Sequence, residues 1–203
     1  METSFPLLFA AVVGFGHAFE ADHLVAVSSI VTKRGKATLA VKDGIYWGLG
    51  HSSTILAIGL LMIVGKATFL NHYFGYFEAG VGLMLIILGV FRLYQYFQAG
   101  EATIDEHDNH KLAYGVGLIH GLAGSGAMVL LVMTEIESSF NSLVYLAIFG
   151  IGSALGMLTA AGIFSLPFTQ KISHSRSLQF GLILLSSLLC IGYGTYTLIE
   201  NLF

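Results

Sequence analysis

Six stretches of roughly 20 or more mostly apolar residues follow one another along the chain, each long enough to cross a bilayer as a helix. They cover approximately residues 5–31, 43–65, 75–98, 112–134, 142–167 and 177–200. The connections are short, so the spans are expected to form one tight bundle. Only 10% of the residues are charged, against about 25% in an ordinary soluble domain. The expected class is all-α: a polytopic membrane protein of six transmembrane helices, with residues 1–203 as a single transmembrane domain. The opening residues "METSFPLLFAAVV" lack a positive n-region, and the apolar run continues past any cleavage site, so they read as the start of a retained span. The net charge of −3 is too small to suggest a nucleic-acid partner, and the single cysteine, Cys190, offers neither a disulfide framework nor a thiolate zinc site.

Lys and Arg set the orientation. Lys33, Arg34, Lys36 and Lys42 follow the first span, Arg92 and Lys111 flank the third loop, and Lys171 and Arg176 lie in the fifth. Lys66 alone falls on the other side. Loops 1, 3 and 5 are therefore expected in the cytoplasm and both termini outside, in a bacterial or archaeal plasma membrane.

The two halves resemble each other at an offset of about 102 residues. "GFGHAFEADHLVAV" lies over "VGLIHGLAGSGAMVLL", which pairs His17 with His120. "WGLGHSST" lies over "FGIGSALG", and "AGVGLMLIILG" over "FGLILLSSLLC". Each half has three spans, so the second enters the bilayer inverted, the plan of many secondary transporters. The expected arrangement is a 3+3 inverted repeat, residues 1–98 and 112–203, joined by a polar loop at 99–111. Most of the glycines serve helix packing through small-xxx-small spacing. Gly14, Gly16, Gly48 and Gly50 each sit just before a histidine, where a local helix break would free carbonyls for an ion.

The chemistry concentrates at His17, Glu20, Asp22 and His23 in the first span. On a helix His17, Glu20 and His23 share one stripe, while Asp22 points elsewhere, so the set converges only if the helix is distorted. By helical rise, His23, His51 and His120 all fall about 12 Å from the cytoplasmic face, and His17 about 9 Å further out. A charged group at the bilayer centre costs about 2.5 kcal/mol or more, so such groups persist where they pair, face a cavity or carry function. Neutral imidazole suits borderline transition metals, and a carboxylate orients a ligating histidine through its second nitrogen. The expected metal-contacting set is His17, Asp22, His23, His51 and His120, with Glu20, Ser52 and Ser125 as secondary candidates. The scattered methionines, Met128 and Met157 among them, read mainly as gap-fillers. Glu78 reads as an interfacial charge or part of an access route, and "DEHDNH" at 105–110 as a solvated loop, with a weak metal-holding role for His107 and His110 as the alternative.

The run from His17 to His23 has the form H-x4-D-H, which resembles the signature of the nickel/cobalt transporter family. "LGHSST" at 49–54 looks like that family's second motif, and "HGLAGSGAM" at 120–128 resembles the related urease- and hydrogenase-accessory membrane proteins, the UreH-like and HupE-like branch. The resemblance implies handling of Ni²⁺ or Co²⁺, with His17, Asp22, His23 and His51 touching the metal. The family's later acidic motif, of the Asp-Thr-Ala-Thr-Glu type, is absent here, and "GMLTAAG" lacks the aspartate that follows Gly-Met.

The expected function is a secondary permease for a divalent transition metal, Ni²⁺ or Co²⁺ first, with Zn²⁺, Mn²⁺ and Fe²⁺ left open. Import for nickel enzymes is favoured. No prosthetic group and no enzymatic activity are expected, since an H-E-x-x-H signature is absent, and so is a P-loop. The expected partners are the metal ion, the lipid bilayer, nickel-enzyme maturation proteins and a further copy of the chain. The competing readings are an exporter of small anions on the same scaffold and a membrane metal-delivery accessory protein.

Overall fold

The computed structural model describes residues 4–32, 34–66, 68–99, 107–136, 138–166 and 176–203. The side chains of 124–131 and 133–135 are outside that description, and with them the expectations for Ser125 and Met128. The described residues are helical and contain no strand. The helices are α1 (Ser4–His17), α2 (Ala21–Val31), α3 (Ala37–Ile63), α4 (Phe74–Ala99), α5 (Lys111–Glu135), α6 (Ser139–Ser165) and α7 (Arg176–Leu202), with a short 3₁₀ turn at Thr68–Tyr73. Four of them, α3, α4, α6 and α7, are long and apolar enough to cross a membrane. A fifth crossing forms if α1 and α2, which meet at a bend of 56°, are taken as one broken span.

Local sequence explains where the helices stop. Pro6 sits in the first turn of α1, where its missing N–H is no loss. Ser138 caps α6 by accepting from the Asn141 amide at 3.4 Å. At its other end α6 stops at Ser165, and Leu166 closes it in a tightened helical turn, its amide donating to the Ile163 carbonyl. The α1–α2 break falls at 18–20, directly after Gly16 and His17; the Phe19 and Glu20 amides turn back to the Gly16 and His17 carbonyls at 2.9 and 3.0 Å. Buried Arg92 donates to the carbonyl of Thr32 at 2.8 Å, which satisfies an orphan acceptor at the C-terminal end of α2 and places a cation at the negative end of its dipole.

Close backbone approach organises the packing. α3 runs beside both α5 and α6, α1 packs on α6, and α4 on α7. A methyl on Gly82 would lie 2.6 Å from the Gly194 carbonyl oxygen, and one on Gly48 2.7 Å from the Cα of Ala154. Gly14 and Gly152 of the α1–α6 contact meet the backbone of Phe149 and Ala11; Gly117 and Gly50 of the α5–α3 contact meet that of Trp47 and Tyr114. This corrects one expectation: Gly48 and Gly50 break nothing. α3 is continuous through both, and they are small because α6 and α5 pass against them. The break occurs only at the first glycine pair, where Gly16 has open space around it.

Two apolar clusters fill the interior. One joins α2, α3, α4, α5 and α6 around Trp47, Leu85 and Met157; the other joins α1, α3, α5 and α6 around Ile55, Leu146 and Phe149. Met157 is fully buried in the first and fills space there. Cys190, also buried, donates to the Val25 carbonyl at 3.3 Å and ties α7 to α2.

Candidate metal centre

The helix break gathers the polar residues of the first span. In a straight helix Asp22 points away from His17, and His17 stands about 9 Å above His23. With the axis bent between them, the His17 and His23 rings come to 4.6 Å centroid to centroid, and His17 lies 5.4 Å from His51. His17 therefore joins the other histidines instead of standing above them. His23 lies 5.2 Å from His51 and is stacked on His120 at 4.7 Å. Four imidazoles thus meet from α1, α2, α3 and α5. Trp47 walls the site, 5.6 Å from His23 and 5.9 Å from His120, and Phe149 lies 5.4 Å from His17.

Two three-residue sets have ligand atoms within 4.8 Å of one another: His17, His23 and His51, and Asp22, His23 and His120. His23 belongs to both. The carboxylates sit behind the rings. Asp22 Oδ1 is 2.9 Å from His23 Nδ1 and accepts the His23 amide at 2.8 Å, while Glu20 Oε1 is 2.9 Å from His17 Nδ1. A carboxylate only accepts, so both Nδ1 atoms carry the proton. That leaves each Nε2 lone pair directed away from its carboxylate, the orientation that second-sphere carboxylates give to metal-ligating histidines.

The inward atoms are unsatisfied. His17 Nε2, His23 Nε2 and both nitrogens of His51 have no hydrogen-bond partner among the described residues. The same holds for His120, whose Nε2 stands 3.7 Å from Asp22 Oδ2, beyond hydrogen-bond range. His23 and His51 are fully buried and His120 is 1% exposed. An unsatisfied buried polar group costs about 1–3 kcal/mol, and here several face one another. A divalent cation would accept lone pairs from the members of either three-residue set, so the donor chemistry fits a borderline metal.

The secondary candidates separate. Glu20 orients His17 from outside the cluster and is 60% exposed. Ser52 turns away: its hydroxyl donates to the Gly150 carbonyl at 2.8 Å, pinning α3 to α6. Outside the cluster, the 107–110 part of the polar loop is docked, not solvated throughout. The Arg34 guanidinium grips both Asp43 oxygens at 2.6 and 3.0 Å and donates to the carbonyls of His107 and Asn109. His110 is held between Asp43 and Asp108, each at 2.6 Å, so its ring is engaged by carboxylates. Lys42 meets Asp108 at 2.7 Å. Neither Arg34–Asp43 nor the placing of Trp47 beside the histidines was read from the sequence. The signal for the first was an Arg and an Asp nine positions apart, both next to span ends; for Trp47 it was one helical turn from His51.

Among known proteins, a urease accessory protein UreH of Bacillus sp. (strain TB-90) is 34% identical over 183 residues, 84% of this chain and 80% of that protein. A protein of Methanocaldococcus jannaschii named as a nickel/cobalt efflux system is 28% identical over 198 residues, 93% of this chain and 90% of that one. A nickel transporter, NicT of Mycobacterium tuberculosis, is 26% identical over 132 residues, 52% of this chain and 35% of that one. None of the three is named as an enzyme. No family profile matches, and neither does any solved structure. The extent of the first likeness, together with the two metal-transport relatives, shows that the chain belongs to the nickel/cobalt transporter family, within the branch that holds the urease accessory UreH proteins.

Proposed function

We propose that this multi-pass membrane protein is a secondary permease for Ni²⁺ or Co²⁺, in which His17, Asp22, His23, His51 and His120 form the ion's intramembrane binding site. The observation that carries this reading is the set of buried imidazole nitrogens facing one another without partners among the described residues. In this reading His23 is the central ligand, because it belongs to both ligand sets. Asp22 supplies negative charge and fixes the His23 tautomer, and Glu20 does the same for His17.

We read α5 as a further span, so that the broken α1–α2 element, α3 and α4 form one half and α5, α6 and α7 the other, six spans in a 3+3 inverted repeat. The packing supports this. The Gly14–Phe149 contact recurs as Gly117–Trp47, and Gly152–Ala11 as Gly50–Tyr114, each displaced by 102 or 103 residues. The termini lie outside in this arrangement, and access alternates by rocking one half against the other.

Replacing His23 or His51 by Ala is expected to abolish metal-dependent flux while protein levels stay intact; unchanged flux in both variants rejects the site. The relatives' names include both an efflux system and a urease accessory protein, so direction is a separate question. Net accumulation of nickel in cells carrying the chain indicates import, and lowered nickel indicates export. A metal-delivery role, the second reading favoured by the UreH likeness, predicts metal binding with no flux across sealed proteoliposomes.

A further inference from the structure

A cavity of about 410 Å³ opens between the break in the first span and the facing ends of α4 and α7. His17, Glu20, Asp22, Glu78, Glu200 and Asn201 give it its polar lining. It is an acidic chamber: no lysine or arginine lines it among the described residues. It also touches the cluster directly. The His17 side chain is only 9% exposed, lines the cavity, and has an Nε2 without a partner among the described residues. The same imidazole belongs to the His17, His23 and His51 set. One side chain thus stands between the two compartments.

We propose that this chamber is a capture site for a hydrated divalent cation, with Glu78 and Glu200 holding the ion through its water shell before His17 draws it to the buried imidazoles. This rests on the permease reading above. The volume suits a hydrated ion, since six waters at about 30 Å³ each fit inside it. The chemistry suits a two-stage path. Carboxylate oxygens hold a hard, hydrated cation by charge and discriminate poorly among divalent ions; imidazoles take over where borderline metals are preferred. A cleft lined by one sign of charge with apolar walls focuses the field and raises the local cation concentration. Glu78 and Glu200 touch no member of the histidine cluster in any described hydrogen bond or ion pair, so their role is capture, not selection.

The test is the association rate of Co²⁺ with purified, detergent-solubilised full-length protein, followed by the ligand-field absorption of imidazole-bound cobalt. This readout is independent of transport direction. The double variant Glu78→Gln, Glu200→Gln is expected to bind cobalt with an unchanged final spectrum but about tenfold more slowly at low ionic strength, within the range that field focusing gives. The gap should close at high salt, and millimolar Mg²⁺ should slow the native protein more than the variant. An association rate and salt dependence equal to those of the native protein overturn the capture site. Should the double variant fail to accumulate, the single Glu200→Gln change, at an exposed position near the end of α7, carries the same comparison at smaller amplitude. Absence of the cobalt band in the native protein overturns the histidine site instead, and a band that His23→Ala removes while the rates of native and double variant coincide leaves that site standing and rejects capture alone.

Discussion

Truncating His51 to alanine loses the packing of a fully buried ring but no hydrogen bond, because neither of its ring nitrogens is satisfied within the described residues. Beyond that packing, its removal should be felt through the ligand. A metal that binds only the folded state stabilises it by about 2.7 kcal/mol at a concentration one hundred times its Kd. Thermal unfolding of the native protein should accordingly shift upward with added Ni²⁺, and that shift should vanish in His51→Ala. Ser52 gives the opposite pattern. Its hydroxyl serves the Gly150 carbonyl, so Ser52→Ala should lose about 1 kcal/mol of stability and leave the nickel-induced shift in place. The sequence ranked Ser52 only as a secondary ligand candidate beside His51, and the approach of α6 shows where its hydroxyl goes. Asp108 offers a pH test on the surface. The hydrogen bond from Lys42, then that from His110, holds its carboxyl below the usual 3.8. Its folded value is the depressed one, so its stabilising contribution is complete above about pH 4 and fades as the pH falls through the folded value. A carboxyl-selective NMR titration should show Asp108 titrating below an ordinary aspartate, and Lys42→Ala should bring it back toward 3.8.

At the scale of the helix, two features decide the fold. The first is the break at 18–20. Its need was legible, since His17, Asp22 and His23 cannot converge on a straight helix; its effect on the height of His17 was not, because a constant rise per residue holds only along an unbroken axis. The second is the close contact of helices at glycine. Gly82 on α4 and Gly194 on α7 each face the other's carbonyl, so Gly82→Leu forces the pair apart over its whole length. Loss of properly folded protein, seen as aggregation in size-exclusion chromatography, is the expected outcome, whereas Gly80→Ala, with open space around it, should behave as the native protein does. Sequence spacing alone gave both glycines the same packing role and could not rank them.

For the molecule as a whole, the interior is divided between apolar clusters and a polar centre. The approximate helix positions, the all-helical class and the family were readable from apolar run length and from a handful of histidines. The contacts that dock the polar loop were not, since Arg34 and Asp43 are ordinary loop-edge residues until the loop supplies His107, Asn109 and His110. Both are 3% exposed, and removing one partner of a buried ion pair costs about 3–5 kcal/mol. Arg34→Ala should lower the unfolding midpoint sharply in a detergent-denaturation series, more than Lys42→Ala, whose pair is half exposed. Orientation is testable at the same scale: cysteines introduced at Lys42 and Tyr73 should react with an impermeant maleimide from opposite sides of the membrane.

The clasp on Arg34 fastens the polypeptide directly downstream of residues 100–106. Continuity of the chain through residues 100–106 is then dispensable for keeping the pieces registered. Two fragments divided there, encoded separately and made in one cell, should find each other and co-purify, since α3 packs on α5 and α6 and α4 on α7 across the division; Arg34→Ala should weaken that association.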